Sequence, residues 1–473
     1  MLGPGVLAQH ETPVIRRDSD EMKLWHPSPA LPVPAPLSGR SVTAGSAVEP
    51  GLGKWSQRSL YIAERSRRVA CAPSVRRSEI GFVVTLTLGM AVCTFLPYAL
   101  GALGPFITDD LGITRTALGS LTTVMYAVGA VLSPVAGPLV DRFGGRRSLV
   151  VAFATGGLGV ATAAVGGRHY AGLVAGAAVF GVSVAFGNPA TNQLAARVVQ
   201  AGRHGIVTGV KQSGVQIGAF LAGLVLPGVA GAAGWRSALG GCALLGAAGL
   251  VLTGRYVPRP SAGEGAVTAA MTVAVADGRP SRALRRRLDR AVNRLTVYAL
   301  LMGFGVGAVG AYLPLYAVEE LGFSRGTAGL AAALVGLVGI VARVGWGRRQ
   351  DRSTKPVIRS LGTLAIGSVV ASGALWAGAS LGSGLLWAGA ALFGATAVAW
   401  NALVMLSIVR DVEVSVAGRA SGRVLLGFYI GFLVGPVTFG WSVDHVGYAA
   451  GWAAVTAGFA LAAALTLAWI WDG

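Results

Sequence analysis

The sequence has few charged residues, and very little cysteine or histidine. Charged residues make up 12% of the 473 residues, compared with roughly 25% in soluble domains. The three cysteines, Cys71, Cys93 and Cys242, are scattered without a Cys-x-x-Cys spacing, and all five histidines lie outside the centres of the apolar stretches. We therefore expect no disulfide framework and no metal site, and no cofactor is predicted.

Motifs of ATP-driven pumps and of enzymes are also missing. The segment Gly51–Trp55 lacks the upstream glycine spacing and the following Ser or Thr of a phosphate-binding loop. No histidine or carboxylate lies at mid-depth in an apolar stretch, so an intramembrane active site would have no base and no metal ligands. The sequence therefore argues against an ATP-driven pump and against an enzyme.

Long apolar stretches dominate the chain instead. Hydrophobic residues make up 53% of it, and 71 residues are glycine, which suits helices that approach one another closely in lipid. A helix needs about 20 apolar residues to cross a bilayer. We predict an all-α membrane protein with twelve transmembrane helices in two pseudo-symmetric six-helix halves. The predicted spans are 80–107, 115–139, 148–166, 171–196, 205–229, 236–256, 293–317, 325–347, 357–378, 384–409, 420–442 and 451–471.

Four regions follow from the placement of these spans. Residues 1–78 are rich in Pro, Ser and Arg without periodicity, which predicts a disordered, basic cytoplasmic tail. This region lacks the continuous apolar core of a secretory signal. Residues 79–256 form the predicted first half, 257–291 a basic cytoplasmic linker, and 292–473 the second half.

The positive charges lie mostly on one side of the predicted membrane. If the N-terminus is cytoplasmic, the opposite face holds only Arg115, Arg168, Arg236 and Arg325 of the 39 Lys and Arg residues. Cytoplasmic loops are enriched in Lys and Arg, so we predict a multi-pass plasma-membrane protein with both termini in the cytoplasm. Topology then explains the net charge of +19. The lipid bilayer is the expected partner, and nucleic acid is not.

The chain also contains an internal repeat. An offset of 210 residues aligns Arg115 with Arg325, and an offset of 213 aligns Asn188 with Asn401. The first offset also pairs Asp109-Asp110 with Glu319-Glu320, Leu111-Gly112 with Leu321-Gly322, and Asp141-Arg142 with Asp351-Arg352. A parallel repeat in an apolar chain is typical of secondary transporters built from two membrane halves around a central site.

One loop resembles a known family. The segment Gly137–Arg147 resembles the signature between the second and third helices of the major facilitator superfamily, with a degenerate copy at Gly347–Arg352. Gly145 departs from that signature, which usually has a basic residue there. The resemblance implies a cytoplasmic latch that forms and breaks as the halves rock, and a plain charged inside loop is the alternative. The gating-motif residues are Gly137, Asp141, Arg142, Gly144, Arg146, Gly347, Asp351 and Arg352.

Three basic residues lie at least about one helical turn inside the ends of predicted spans: Lys211, Arg343 and Arg423. Such charges are costly in a membrane and usually functional. The chain resembles the monocarboxylate/oxalate–formate and cyanate-permease-like branches of the superfamily, and an eighth-helix arginine like Arg343 engages a substrate carboxylate in the former. We therefore predict a small-molecule anion, such as a monocarboxylate, bound by these cations. Snorkelling of the side chains to the interface is the alternative.

Neutral polar residues supply further candidates for the substrate site. Gln212 and Gln216 share one face of the fifth span at a spacing of i, i+4. Hydrogen bonding between helices is the alternative role for this set. The remaining candidates are Asn188 and Asn192 in the fourth span, Asn401 in the tenth and Tyr429 in the eleventh.

Missing features narrow the substrate class. The spans have no mid-depth Asp or Glu, and the Gly435-Pro436 pair lies in the eleventh span rather than the fifth. Both features argue against export of cationic drugs. A drug or sugar efflux carrier of the same fold, or a membrane sensor that does not transport, remains the alternative. A proton or a counter-anion is left open as the coupling partner, and a monomer is predicted.

Overall fold

A computed structural model describes residues 74–198, 204–259, 282–353, 355–411 and 414–471. Within these ranges the chain forms α-helices and no strand. The helices are α1 (Ser74–Leu111), α2 (Arg115–Phe143), α3 (Gly145–Gly166), α4 (Tyr170–Val198), α5 (His204–Ala233), α6 (Trp235–Tyr256), α7 (Arg282–Glu319), α8 (Arg325–Asp351), α9 (Val357–Leu381), α10 (Ser383–Thr396), α11 (Trp400–Asp411), α12 (Val414–His445) and α13 (Tyr448–Trp471).

The predicted fold class is confirmed. In the described part of the chain, twelve helical stretches are long and apolar enough to cross a membrane. Helices α10 and α11 together form the tenth span, Ser383–Ser407, and α12 and α13 form the last two. Helix α7 begins earlier than its predicted span, at Arg282, within the predicted linker. Most of the predicted tail and residues 260–281 of the linker lie outside the described residues.

The repeat is also visible in how the helices begin. Gly112 and Gly322, which the 210-residue offset aligns, have φ angles of 59° and 66° and separate α1 from α2 and α7 from α8. Glycine adopts this left-handed conformation without steric cost. Thr114 and Ser324 then cap α2 and α8, and each side-chain oxygen accepts a backbone N–H bond of 3.1 Å from the residue three positions later. The two halves therefore begin their second helix in the same way.

The two halves meet mainly through three helix pairs: α1 with α7, α2 with α12, and α5 with α8. The repeat relates α2 to α8 and α5 to α12, so the pair α2–α12 corresponds to the pair α8–α5. The interface therefore follows the same pseudo-symmetry as the sequence. Glycines allow the close approach. A Cβ atom on Gly101 would lie 2.1 Å from the carbonyl oxygen of Gly310, and one on Gly223 would lie 2.6 Å from that of Gly329. Small residues at helix crossings are the usual means of tight packing in membranes.

The helix bundle has two chemically distinct ends. We call the end that holds Asp109, Glu319 and Asp444 the carboxylate end. We call the opposite end, which holds the loop around Asp141 and Arg142, the motif end. Each successive membrane span runs from one end to the other, so both halves contribute to both ends.

Candidate functional site

A central cavity lies between the two halves. It contains about 730 Å³ of atom-free space, counting the part that opens to solvent. Helices α1, α2, α4 and α5 of the first half and α7, α8, α11 and α12 of the second half line it. Its polar lining residues are Thr94, Asn188, Gln212, Gln216, Arg343 and Asn401, and its aromatic ones are Tyr98, Tyr126, Trp400, Phe428, Tyr429 and Phe432.

Arg343 is the basic residue that lines this cavity. Its Nε atom donates to the carbonyl oxygen of Val398 at 3.1 Å, and its Nη1 atom donates to that of Gln212 at 2.9 Å. The second nitrogen of the fork, Nη2, has no hydrogen-bond partner among the described residues, and no carboxylate pairs with the guanidinium there. Two anchors from different halves therefore fix a guanidinium whose remaining donors are available to a ligand.

A break in the tenth span supplies one of these anchors. Helix α10 ends at Thr396 and α11 begins at Trp400, with turn residues between them. Interrupting a helix frees backbone carbonyls, which is tolerated at membrane depth where the backbone lines a cavity or is buried in protein. Arg343 takes the carbonyl of Val398, and Trp346 Nε1 donates to that of Ala395 at 3.0 Å. Discontinuous helices of this kind mark substrate sites in secondary transporters.

Two buried amide atoms of the cavity lining lack a partner. Asn188 Oδ1 and Gln216 Nε2 make no hydrogen bond with the described residues. An unsatisfied buried polar atom costs roughly 1–3 kcal/mol, so atoms of this kind in a cavity wall indicate a missing ligand or water. Gln216 lines the same cavity as Arg343, and its Oε1 atom lies 3.0 Å from the place of a Cβ on Gly339, one helical turn before Arg343 in α8.

Lys211 does not line the cavity, although it was predicted to bind substrate. Its side chain is fully buried, and its Nζ donates to Thr191 Oγ1 at 3.1 Å and to Asn192 Oδ1. Successive helical residues are rotated by about 100°. Because Gln212 and Gln216 face the cavity, Lys211 faces α4 within its own half. Asn192 shares that location and is absent from the cavity lining.

Arg423 also lies away from the cavity. Its Nη1 atom is 3.1 Å from Asp289 Oδ1, an ion pair between α12 and α7 in which both side chains are more than half exposed. The three cations of the sequence prediction are therefore not brought together. The neutral candidates Asn188, Gln212, Gln216, Asn401 and Tyr429 do line the cavity with Arg343.

At the motif end, the contacts of the gating motif stay within the first half. Asp141 Oδ1 accepts a 3.0 Å bond from Gln193 Nε2, and Arg146 Nε donates to the carbonyl of Val257 at 3.1 Å. Gly137 and Gly347 make no close helix contact in this conformation, because nothing lies within 4 Å of a Cβ atom placed at either position. The remaining motif residues are Gly144, at the start of α3, Arg142 and Arg352, which are exposed, and Asp351, whose side chain lies outside the described residues.

Helix packing explains why glycine, and not a basic residue, occupies position 145. A Cβ atom there would lie 2.7 Å from Leu194 Cγ and 3.0 Å from the carbonyl oxygen of Ala190. The start of α3 therefore rests directly on α4, and a basic side chain would not fit at this position. The missing charge is the consequence of a tight helix contact.

At the carboxylate end, two ion pairs join the halves. Arg115 Nη2 lies 2.9 Å from Glu319 Oε1, and Arg325 pairs with Asp109. The 210-residue offset maps one pair onto the other, since it aligns the arginines and the acidic residues separately. The sequence carried this signal as an acidic residue six positions before an arginine in each copy, but the pairing across the halves was not predicted.

Asp444 adds a third link at the same end. Its carboxylate accepts the backbone N–H of Arg115 at 3.0 Å and that of Thr116 at 2.7 Å, and the Thr116 hydroxyl at 2.6 Å. A carboxylate is favourable at a helix N-terminus, where unpaired N–H groups carry partial positive charge. The Tyr312 hydroxyl also donates to the Arg115 carbonyl. The carboxylate end is therefore closed across the two halves.

These features define a class of protein. Two repeat-related halves of six membrane-crossing helices, joined at one end around a central cavity, form the architecture of a secondary membrane carrier. A family model described as Major Facilitator Superfamily matches residues 83–422. The chain belongs to the Major Facilitator Superfamily. As a member of this family, it is a transporter of a small solute.

Individual relatives carry different substrates. The probable sulfoacetate transporter SauU of Cupriavidus necator is 25% identical over 392 residues, covering 76% of this chain and 86% of that protein. A solved D-xylose–proton symporter has a TM-score of 0.61 at 18% identity, covering 82% and 97% of the two chains. The nucleoside transporter NupG has a TM-score of 0.64 at 14% identity, covering 82% and 99%. The solved structures share the fold with this chain.

Proposed function

We propose that this protein carries a small organic anion across the plasma membrane by alternating access, with Arg343 as the anion-binding residue. The observation that carries the proposal is the location of the Arg343 guanidinium and the set of hydrogen bonds that it makes. This guanidinium lines the central cavity, is held by carbonyls of both halves, and keeps free donors with no carboxylate partner in the described parts of the chain. An arginine fork pairs bidentately with a carboxylate or sulfonate.

Two further observations favour an anion. Gln216 Nε2, which has no hydrogen-bond partner among the described residues, adds a neutral donor to the same cavity as Arg343, and none of the described Asp or Glu residues lines that cavity. A relative in sequence is named as a probable sulfoacetate transporter, and sulfoacetate is itself a small organic anion. Asn188, Asn401 and Tyr429 complete the polar part of the site and orient the substrate.

The conformation corresponds to one state of the transport cycle. The carboxylate end is closed across the halves, whereas the described contacts of the gating motif stay within the first half. The distribution of Lys and Arg supports a cytoplasmic location for the motif end and for both termini. On that orientation the protein faces inward. In the opposite state, the motif residues Asp141, Arg142 and Arg352 would form the latch between the halves.

The negative charge of the substrate determines what must move together with it. The bound anion brings a negative charge to Arg343, and a proton carried by the substrate, or exchange for a second anion, would keep each cycle electrically balanced. Neither route needs a carboxylate in the membrane. A single copy of the chain contains the whole cavity, so a monomer is sufficient for transport.

The test is anion binding by purified protein in lipid nanodiscs, measured by calorimetry with propionate, sulfoacetate and benzoate. We expect at least one of these anions to bind, and Arg343→Gln to raise its Kd by about 10- to 100-fold, because hydrogen bonds to a charged group contribute about 1.5–3 kcal/mol. Arg359→Gln, which removes an exposed arginine at the start of α9, is the matched control and should leave Kd within about twofold.

The binding result is then checked as transport. Counterflow of the labelled anion in proteoliposomes distinguishes a carrier from a membrane sensor, because a sensor binds without exchanging its ligand across the bilayer. Binding of D-xylose or of organic cations with no binding of the three anions would overturn the proposal. An Arg343→Gln protein that binds the anion normally would do so too.

A further inference from the structure

The cavity has an aromatic wall as well as a polar one. Five of its rings form a single connected cluster, with Phe428 at the centre. The ring centroid of Phe428 lies 4.5 Å from that of Phe432, 5.6 Å from Tyr429, 5.7 Å from Trp400 and 6.2 Å from Tyr126. The rings come from α2, α11 and α12, whereas four of the six polar lining residues come from α4, α5 and α8.

A small hydrophilic anion would gain little from such a wall. Aromatic faces carry partial negative charge and their edges partial positive charge, so an anionic group is repelled from the ring faces. Apolar surface also gives no hydrogen bonds to replace those that the anion loses from water. An anion without an apolar body would thus use Arg343 and leave the aromatic wall without a partner.

The polar and aromatic walls lie close enough to serve one ligand. Val398, whose carbonyl holds the Arg343 guanidinium, is followed two positions later by Trp400, whose ring is in contact with Phe428. A group bound at Arg343 therefore has the aromatic cluster beside it. A ligand with its charge attached directly to a flat apolar body fits both walls at once.

We propose that the substrate is an amphipathic anion, with a carboxylate or sulfonate at Arg343 and Gln216 and a planar apolar body packed against the cluster around Phe428. This inference rests on the proposed function and specifies its substrate class. It also links binding to the two halves. Tyr126 belongs to α2 of the first half, and its ring centroid lies 4.8 Å from that of Phe432 in the second half. The apolar body of the ligand would therefore contact rings of both halves, which separate when the halves move.

The experiment compares matched ligands on the wild-type protein. Benzoate has the charge and the ring, propionate has the charge without the ring, and benzamide has the ring without the charge. We expect calorimetry in nanodiscs to show benzoate bound at least about tenfold more tightly than propionate, and benzamide not bound. The comparison needs no variant, so it does not depend on how a substitution folds.

A variant then tests whether the aromatic cluster around Phe428 causes the difference in affinity between benzoate and propionate. Phe428→Leu keeps an apolar side chain but removes the central ring, and it should weaken benzoate binding about 3- to 10-fold while changing propionate less than twofold. Trp441→Leu removes a ring from the same helix, outside the cavity, where Trp441 is 52% exposed. That control should leave both affinities unchanged.

The outcomes separate this inference from the proposed function. Equal affinity for propionate and benzoate, with both lost in Arg343→Gln, would overturn the aromatic wall as a recognition surface and leave anion transport standing. An equal effect of Phe428→Leu on both ligands would overturn it as well. Failure of all three anions to bind would instead refute the proposed function.

Discussion

At the scale of single residues, burial and partners decide what each cation of the membrane region does. Arg343, Lys211 and Arg423 carry the same formal charge at similar predicted depths. Arg343 is anchored by two carbonyls beside a cavity, Lys211 is enclosed among neutral oxygens, and Arg423 is exposed in an ion pair with Asp289. Of the three, Arg343 has the geometry of a ligand-binding group.

A prediction follows for Lys211. We expect Lys211→Met to keep the anion Kd within about threefold, because the side chain lies outside the cavity lining. The melting temperature should not fall, since burying a charge without a carboxylate partner is costly and an apolar replacement of similar length is often neutral or stabilising. Calorimetry and thermal unfolding in the same nanodiscs measure both quantities. A tenfold rise in Kd, as expected for Arg343→Gln, would make Lys211 a direct ligand.

At the scale of helices, the contact between α5 and α8 depends on glycine. A Cβ atom on Gly329 would lie 2.4 Å from Pro227 Cγ and 2.6 Å from the carbonyl oxygen of Gly223. These distances leave no room for a larger side chain while the carboxylate end is closed. Opening this end separates the two helices and relieves the clash.

We therefore predict that Gly329→Val favours opening at the carboxylate end. Overpacking costs about 1–3 kcal/mol, which would shift the ratio of open to closed molecules by about 5- to 150-fold. Spin labels at residues 168 and 381, exposed positions at that end of the two halves, report the distance by electron resonance. Gly241→Val is the control, because nothing lies within 4 Å of a Cβ there. An identical distance distribution in both variants would contradict the prediction.

At the scale of the whole molecule, the pseudo-symmetry of the halves produces two equivalent ion pairs, Arg115 with Glu319 and Arg325 with Asp109. Neither half alone contains either pair. The closed carboxylate end is therefore stabilised twice by the same chemistry, and Asp444 adds a contact from α12 to the N-terminus of α2.

Removing both arginines should open this end. Exposed ion pairs contribute about 0.2–1 kcal/mol each, so the double variant Arg115→Gln/Arg325→Gln should shift the open-to-closed ratio by about 2- to 30-fold, measured with the same spin labels. Arg236→Gln, which breaks an ion pair with Asp110 at the same end but within one half, is the control. A larger shift in the control than in the double variant would show that the paired arginines do not hold the halves together.

The sequence by itself determined the membrane class, the twelve spans and the repeat, and it named Arg343 as one of three candidate cations. These properties depend on local quantities: the length of an apolar stretch sets whether a helix crosses a bilayer, and a charge within such a stretch is costly wherever the helix packs. The offset of 213 residues also pairs Asn188 with Asn401, and both line the cavity.

Only the tertiary structure decided which face of each helix meets the cavity, and hence that Gln212 lines it while the adjacent Lys211 does not. It also decided the break before Trp400. Residues 397–399 are Ala-Val-Ala, without the Gly or Pro that would signal an interruption. The side chains of Arg343 and Trp346 in α8 donate hydrogen bonds to carbonyl oxygens at this break. The aromatic wall and the paired arginines likewise join helices far apart in the chain. Such contacts depend on the rotation and approach of whole helices, which local hydrophobicity does not specify.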